Sequence, residues 1–100
     1  KMGTKIQTPK LGAILISEHL IKAFVLIIDD VDISNAYDEI IKILQGTDIE
    51  EIIPPVPLPR FEVEMWVHRP TGLIFCVLLK DDYRLVSSVI KGDISDVMFN

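Results

Sequence analysis

Three aspartates close an apolar run in IIDDVD, at Asp29, Asp30 and Asp32. Carboxylates this close together supply hard oxygen ligands, so the stretch could gather magnesium or calcium as the acid-tipped strand of nucleotide hydrolases does. That chemistry also needs a phosphate cradle of the form GxxxxGK[ST], and the nearest fragment, MGTK, lacks the spacing. Acids at a helix start are favoured by the helix dipole in any case. No metal site is assigned on this pattern, and Asp29, Asp30 and Asp32 stand only as weak candidates.

A second group lies in FEVEMWVHR, which alternates strictly in polarity. Phe61, Val63, Met65 and Val67 fall on one side of a strand and Glu62, Glu64, Trp66 and His68 on the other. Taking the aliphatic side as the core turns Trp66 outward, between Glu64 and His68. Tryptophan is enriched among binding hot spots, which makes Trp66, His68 and Glu64 the candidate partner-binding residues. The competing reading is that another element of the same chain covers Trp66.

The remaining reactive types do not assemble into a catalytic set. His19, His68 and Cys76 are too few for the four ligands of a structural zinc site, and one cysteine forms no intramolecular disulfide. Cys76 sits in LIFCVLL, where a small buried hydrophobe is the plain reading. Ser87 and Ser88 fall in what reads as a helix, without a GxSxG elbow. The expectation is a non-enzymatic protein without cofactor. A cation-dependent enzyme using the 29–32 aspartates is the alternative.

The elements that would position these groups follow from periodicity. LGAILIS and LIKAFVLII, joined by the polar pair EH, predict an antiparallel hairpin. Ser34 or Asp32 can cap a helix through NAYDEIIKILQ, where Tyr37, Ile40, Ile41 and Leu44 recur every three or four residues, and Gly46 permits a left-handed stop. After the prolines of EIIPPVPLPRFEVE come the strand at Glu64 and Trp66, a PTG turn, and a returning strand LIFCVLLK. DDYRLVSSVIKG then reads as a second helix with Tyr83, Val86, Val89 and Ile90 inward. AFVLIIDD parallels IFCVLLKDD, and IIKILQGTDI parallels VSSVIKGDI, so one reading is a hairpin–helix repeat with units at about 11–46 and 61–92, and the other is two similar units without duplication. The prolines at 54–60 read as a stiff connector between the units: Arg60 is wrongly spaced for a displayed PxxP ligand. The predicted fold class is α+β in one domain, a small antiparallel sheet of about four strands with two helices.

Composition narrows the partners. The chain has 100 residues and Met2 reads as the natural start; 49% of residues are hydrophobic, with 16 Ile, 10 Leu and 9 Val. So small a fold leaves apolar surface without cover, and self-association is the usual remedy. A net charge of −5 argues against duplex nucleic acid, whose phosphates demand cations. Apolar runs fall short of the ~20 residues that span a bilayer, and no cleavage signal follows the first of them. The reading expects a soluble, intracellular chain.

DISNAYDEIIKILQG and PPVPLPRFEVEMWV, with the chain's length and isoleucine content, resemble the small proteins of filamentous and rod-shaped viruses that infect hot-spring archaea. That resemblance implies an accessory viral protein made in the host cytoplasm, with virion association left open, and it carries over no site residue. Together these lines predict a protein-interaction module that forms a homodimer through its sheet and binds a further viral or host protein. A nucleic-acid-associated viral protein, using Lys1, Lys5, Lys10, Arg60, Arg69 and Arg84, is the alternative.

Overall fold

A computed structural model describes residues 3–28, 32–52 and 62–92. The elements run β1 (Ile6–Thr8), β2 (Gly12–Ile16), α1 (Glu18–Ile27), α2 (Ile33–Gln45), β3 (Ile49–Ile52), β4 (Val63–His68), β5 (Leu73–Leu79) and β6 (Arg84–Lys91). The six strands form one sheet in the order β1-β2-β6-β5-β4-β3. All neighbours are antiparallel except β2 and β6, which run parallel through Ile14↔Arg84, Leu15↔Leu85 and Ile16↔Val86. The class is α+β as expected, with two helices, but the sheet is mixed and larger than four strands.

Two predicted elements exchange identity. LIKAFVLII forms α1 where a strand was expected. Ser17 decides this: its hydroxyl accepts from the Leu20 N–H at 3.0 Å, a helix N-cap, and Glu18 follows in the first turn. The polar pair read as a hairpin break is a helix start, and Leu20, Ile21 and Phe24 form the buried stripe. The region predicted as the second helix is instead β6. Val86 and Val89, three apart, both face the core because Cys76 pairs with Ser88 while Val77 pairs with Val86, leaving Ser87 as an extra residue. The bulge imitates helical spacing. Residues 23–27 of the first paired stretch are thus helix and residues 74–79 of the second are strand, so the described residues do not form a hairpin–helix repeat.

The amphipathic helix predicted from Ser34 is α2, capped by Asp32, whose carboxylate accepts from Asn35 N–H at 3.0 Å. Its stop differs from expectation. Gly46 has φ −76 and ψ 177, an extended conformation, and its N–H returns to Ile43 O at 3.2 Å. The PTG turn forms as expected between β4 and β5, with Gly72 at φ 76 and its N–H on His68 O at 2.9 Å. The 54–60 connector and the carboxy-terminal stretch DISDVMFN fall outside the described residues.

The helices cover one face only. Ile14, Ile16, Val86, Val89, Phe75, Leu73, Val77, Trp66 and Ile49 alternate onto that side and join Leu20, Phe24, Ile40 and Leu44 in the main core. Ser17 links the layers: its N–H reaches Val86 O at 3.2 Å and its hydroxyl donates to Ser87 O at 2.8 Å. Ser17→Ala removes the cap and the hydroxyl bond to Ser87 O but keeps the backbone bond to Val86 O, and should cost about 1–2 kcal/mol, read as a lowered urea midpoint with unchanged slope. An unchanged midpoint would show that the cap is dispensable.

Candidate functional site

β3, β4 and β6 bring four polar or aromatic side chains together on the helix side of the sheet. Glu64 and Trp66 are two apart on β4, Glu51 pairs with Trp66 from β3, and Arg84 begins β6. The Arg84 guanidinium donates through Nε to Glu64 Oε1 at 2.8 Å, through one terminal nitrogen to Oε2 at 3.3 Å, and through the other to Leu11 O at 2.8 Å. Trp66 Nε1 donates to the same Glu64 oxygen at 2.9 Å, and Arg84 lies 6.0 Å from the Trp66 ring centre. Such a two-pronged, charge-assisted pair is stronger than a neutral hydrogen bond. It ties β4, β6 and the β1–β2 turn.

Trp66 is 7% exposed and belongs to the main core. The outward, partner-anchoring Trp66 expected from polarity is corrected accordingly: the side with Trp66 is the helix side. The polar residues on that side sit at its margins, where Glu64 meets Arg84. Glu64 and Trp66 are brought together, whereas His68 stands apart, with Nδ1 2.8 Å from Thr71 Oγ1 in the β4–β5 turn. Arg84 was missed because β6 was read as a helix; a strand register for β4–β6 places Arg84 on the face of Glu64, while Glu51 is placed only by the β3–β4 register.

Charge in this cluster is unevenly balanced. Burial pushes the Glu64 carboxyl up, but donors from Arg84 and Trp66 outweigh it and hold it below the ordinary value. Glu51 is pushed up, first by burial and then by the Glu64 charge, with Arg84 offsetting part of this. Arg84 is raised by its bond to Glu64.

Of the three aspartates offered as weak metal candidates, only Asp32 lies among the described residues. Asp32 accepts from Ser34 Oγ at 2.8 Å and from Asn35 N–H, which together hold its carboxyl below the ordinary value. It serves as a helix cap. Asp29 and Asp30 lie outside the described residues. Among the described residues no group of three or more His, Cys, Asp or Glu side chains could hold a metal ion. A cleft of about 390 Å³ at the β5–β6 turn mixes Glu62, Asp81 and Asp82 with Lys80 and Arg84, so no single ligand charge is selected.

Among the described residues, no helix lies on the opposite face of the sheet. Leu15 on β2, Leu85, Ser88 and Ile90 on β6, Cys76 and Leu78 on β5, and Met65 on β4 share it by register. Ile90 is 48% exposed and the others are half-buried, while Ile52, Val67 and Ile74 form a small buried cluster at one end. The central strands β2, β6 and β5 thus present an apolar, uncharged surface. Leu26 and Ile33 are also exposed, singly, beside the α1–α2 connection, which is ordinary for surface aliphatics.

No protein-family model, curated protein or solved structure matches this chain. No helix among the described residues is long and apolar enough to cross a membrane.

The cluster predicts opposite pH responses. Glu64 has a folded value below its unfolded one, so its contribution is full above the ordinary carboxylate range and is lost as pH falls through the folded value. Glu51 has the reverse sign: its charge costs stability at neutral pH and the cost fades in acid. Glu64→Gln should lower stability by roughly 1.5–3 kcal/mol at neutral pH, with the gap from the parent narrowing in acid. Glu51→Gln should stabilise at neutral pH and lose that gain in acid. Urea unfolding at both pH values checks the pair.

Proposed function

We propose that this chain is a non-enzymatic interaction protein that self-associates as a homodimer through the helix-free face of its sheet. The observation that carries the reading is the run of Leu15, Leu78, Leu85, Cys76 and Ile90 on that face, apolar and free of charge at its centre. A two-fold interface sets one patch against itself. Any charge at its centre would meet its own copy, so an uncharged face suits a second copy of the same chain. Extended apolar patches are unusual on soluble monomers. Both edges of the sheet are less suited to self-pairing. Gln45 Nε2 donates to Gln7 O at 3.2 Å and covers part of β1, while Glu50 and Glu51 would set like charges together if β3 met β3.

Under the resemblance to small archaeal viral proteins, such a module is an accessory protein that a viral or host partner joins. The net charge of −5 favours this over a nucleic-acid role, and Arg69 and Arg84 support it further because both are engaged with carboxylates, Glu50 and Glu64.

Val77 is not the residue to probe this interface. It is fully buried on the helix side, so a charge there unfolds the chain. Leu85→Asp is the informative substitution. Light scattering at micromolar concentrations should give twice the 11.3 kDa chain mass for the parent and the single mass for Leu85→Asp, with its thermal transition retained. Cys76 supplies an independent reporter: a maleimide should modify it at least about tenfold more slowly in the parent than in Leu85→Asp. A parent of single-chain mass would remove the proposal.

A further inference from the structure

The two edges of the sheet differ in a way that points to a second binding surface, independent of the helix-free face. β1 is covered in part by the Gln45 amide on Gln7 O. β3 pairs with β4 on its inner side through Ile49↔His68, Glu50↔Val67, Glu51↔Trp66 and Ile52↔Met65, and its outer side makes no hydrogen bond among the described residues. An antiparallel edge strand of four residues leaves alternate residues with both N–H and C=O pointing away from the sheet. These groups are a template for a further strand.

Side-chain charge says which strand. Glu50 is paired with Arg69 across the β4–β5 turn, and Glu64 with Arg84. Glu51 has no ion pair among the described residues, is exposed, and lies beside Glu64 on the helix side. At the start of the edge a cleft of about 490 Å³ is lined by Lys10, Thr47, Asp48, Ile49, Glu50 and Arg69, where two cations balance two acids. The excess negative charge along the edge therefore sits at Glu51. A second β3 would bring another acid to it, and β1 of a second copy has its Gln7 carbonyl already occupied by Gln45.

We infer that the outer edge of β3 binds an extended, cationic peptide segment of another protein, which adds to the sheet as a seventh strand with a lysine or arginine opposite Glu51. Main-chain hydrogen bonds to Ile49–Ile52 supply the register and the ion pair at Glu51 supplies the selectivity. The segment's apolar alternate residues extend the sheet side that carries Ile52. Edge carboxylates also discourage aggregation, and that role alone accounts for Glu50 with its partner Arg69. It does not account for Glu51, which makes no ion pair of its own among the described residues and stands near a second carboxylate that already holds Arg84.

The test uses two blocked hexapeptides, one alternating valine with lysine and one alternating valine with glutamate, titrated into the 15N-labelled parent protein. The lysine peptide should shift and protect amides of Ile49–Ile52 and bind at least about tenfold more tightly than the glutamate peptide. Glu51→Lys should reverse that order, and Glu51→Gln should reduce the ratio while leaving the fold intact. Selective binding that persists in Leu85→Asp separates this edge from the dimer surface. Equal affinity for both peptides, shifts confined to β1 or to the helix-free face, or no binding of either at millimolar peptide would overturn the inference.

Discussion

Ser17 stands where β2 ends and α1 begins, and the joining of the two halves of this fold depends on its three hydrogen bonds. Its hydroxyl accepts from Leu20 N–H and donates to Ser87 O, while its own N–H reaches Val86 O. One side chain therefore starts a helix, ends a strand and fixes that junction to β6. The acceptor is there because the bulge at Ser87 turns a carbonyl out of the ladder, and Ser87 Oγ in turn donates to Cys76 O at 3.1 Å. A bulge commonly re-aims backbone groups in this way. Without it the parallel pairing of β2 with β6 would have no lateral anchor at the helix start.

Much of the second half was legible because its signals are local. Alternation in FEVEMWVHR and the glycine of the PTG turn give β4, the turn and β5 from a few residues each, and α2 follows from its apolar spacing and its Asp32 cap. The failures have one cause each. Val86 and Val89 share a face through the Ser87 bulge, which shifts a two-residue period to three. LIKAFVLII carries β-branched residues that favour strands, yet tertiary packing of Leu20 and Phe24 against the sheet outweighs a preference worth tenths of a kcal/mol per residue. The inward side of β4 was misjudged because polar groups at its margins, Glu64 and His68, outvoted the buried indole between them. Arg84, which makes that margin tolerable, lies two strands away and is invisible to any window around Trp66.

The two sides of the sheet do different work. On the helix side, packing is complete and the polar groups at its edge are hydrogen-bonded, with no buried side-chain nitrogen or oxygen left unpartnered among the described residues. On the other side, apolar residues remain half exposed and carry no charge. Surface chemistry is thereby sorted by position: ion pairs and carboxylates ring the edges, and aliphatic side chains occupy the open face. A chain with few charged residues near its apolar surface can use that surface for association without the cost of desolvating ions.

The parallel contact between β2 and β6 carries a consequence for the order of assembly. Ser17 and Ser87 are 70 residues apart in sequence, while β4–β5 and β5–β6 close through turns of about four residues. Loop-closure entropy rises by about 0.6 kcal/mol per doubling of length, so the long closure costs roughly 2–3 kcal/mol more than either turn. The β4–β6 meander is favoured to form early, and the first strand and helix dock onto it late. Until they do, the Trp66 side of the meander is uncovered and the outer edge of β6 is open. The late-docking elements, β2 with α1, are therefore also the ones that cover β6's outer edge and, together with α2, the Trp66 side.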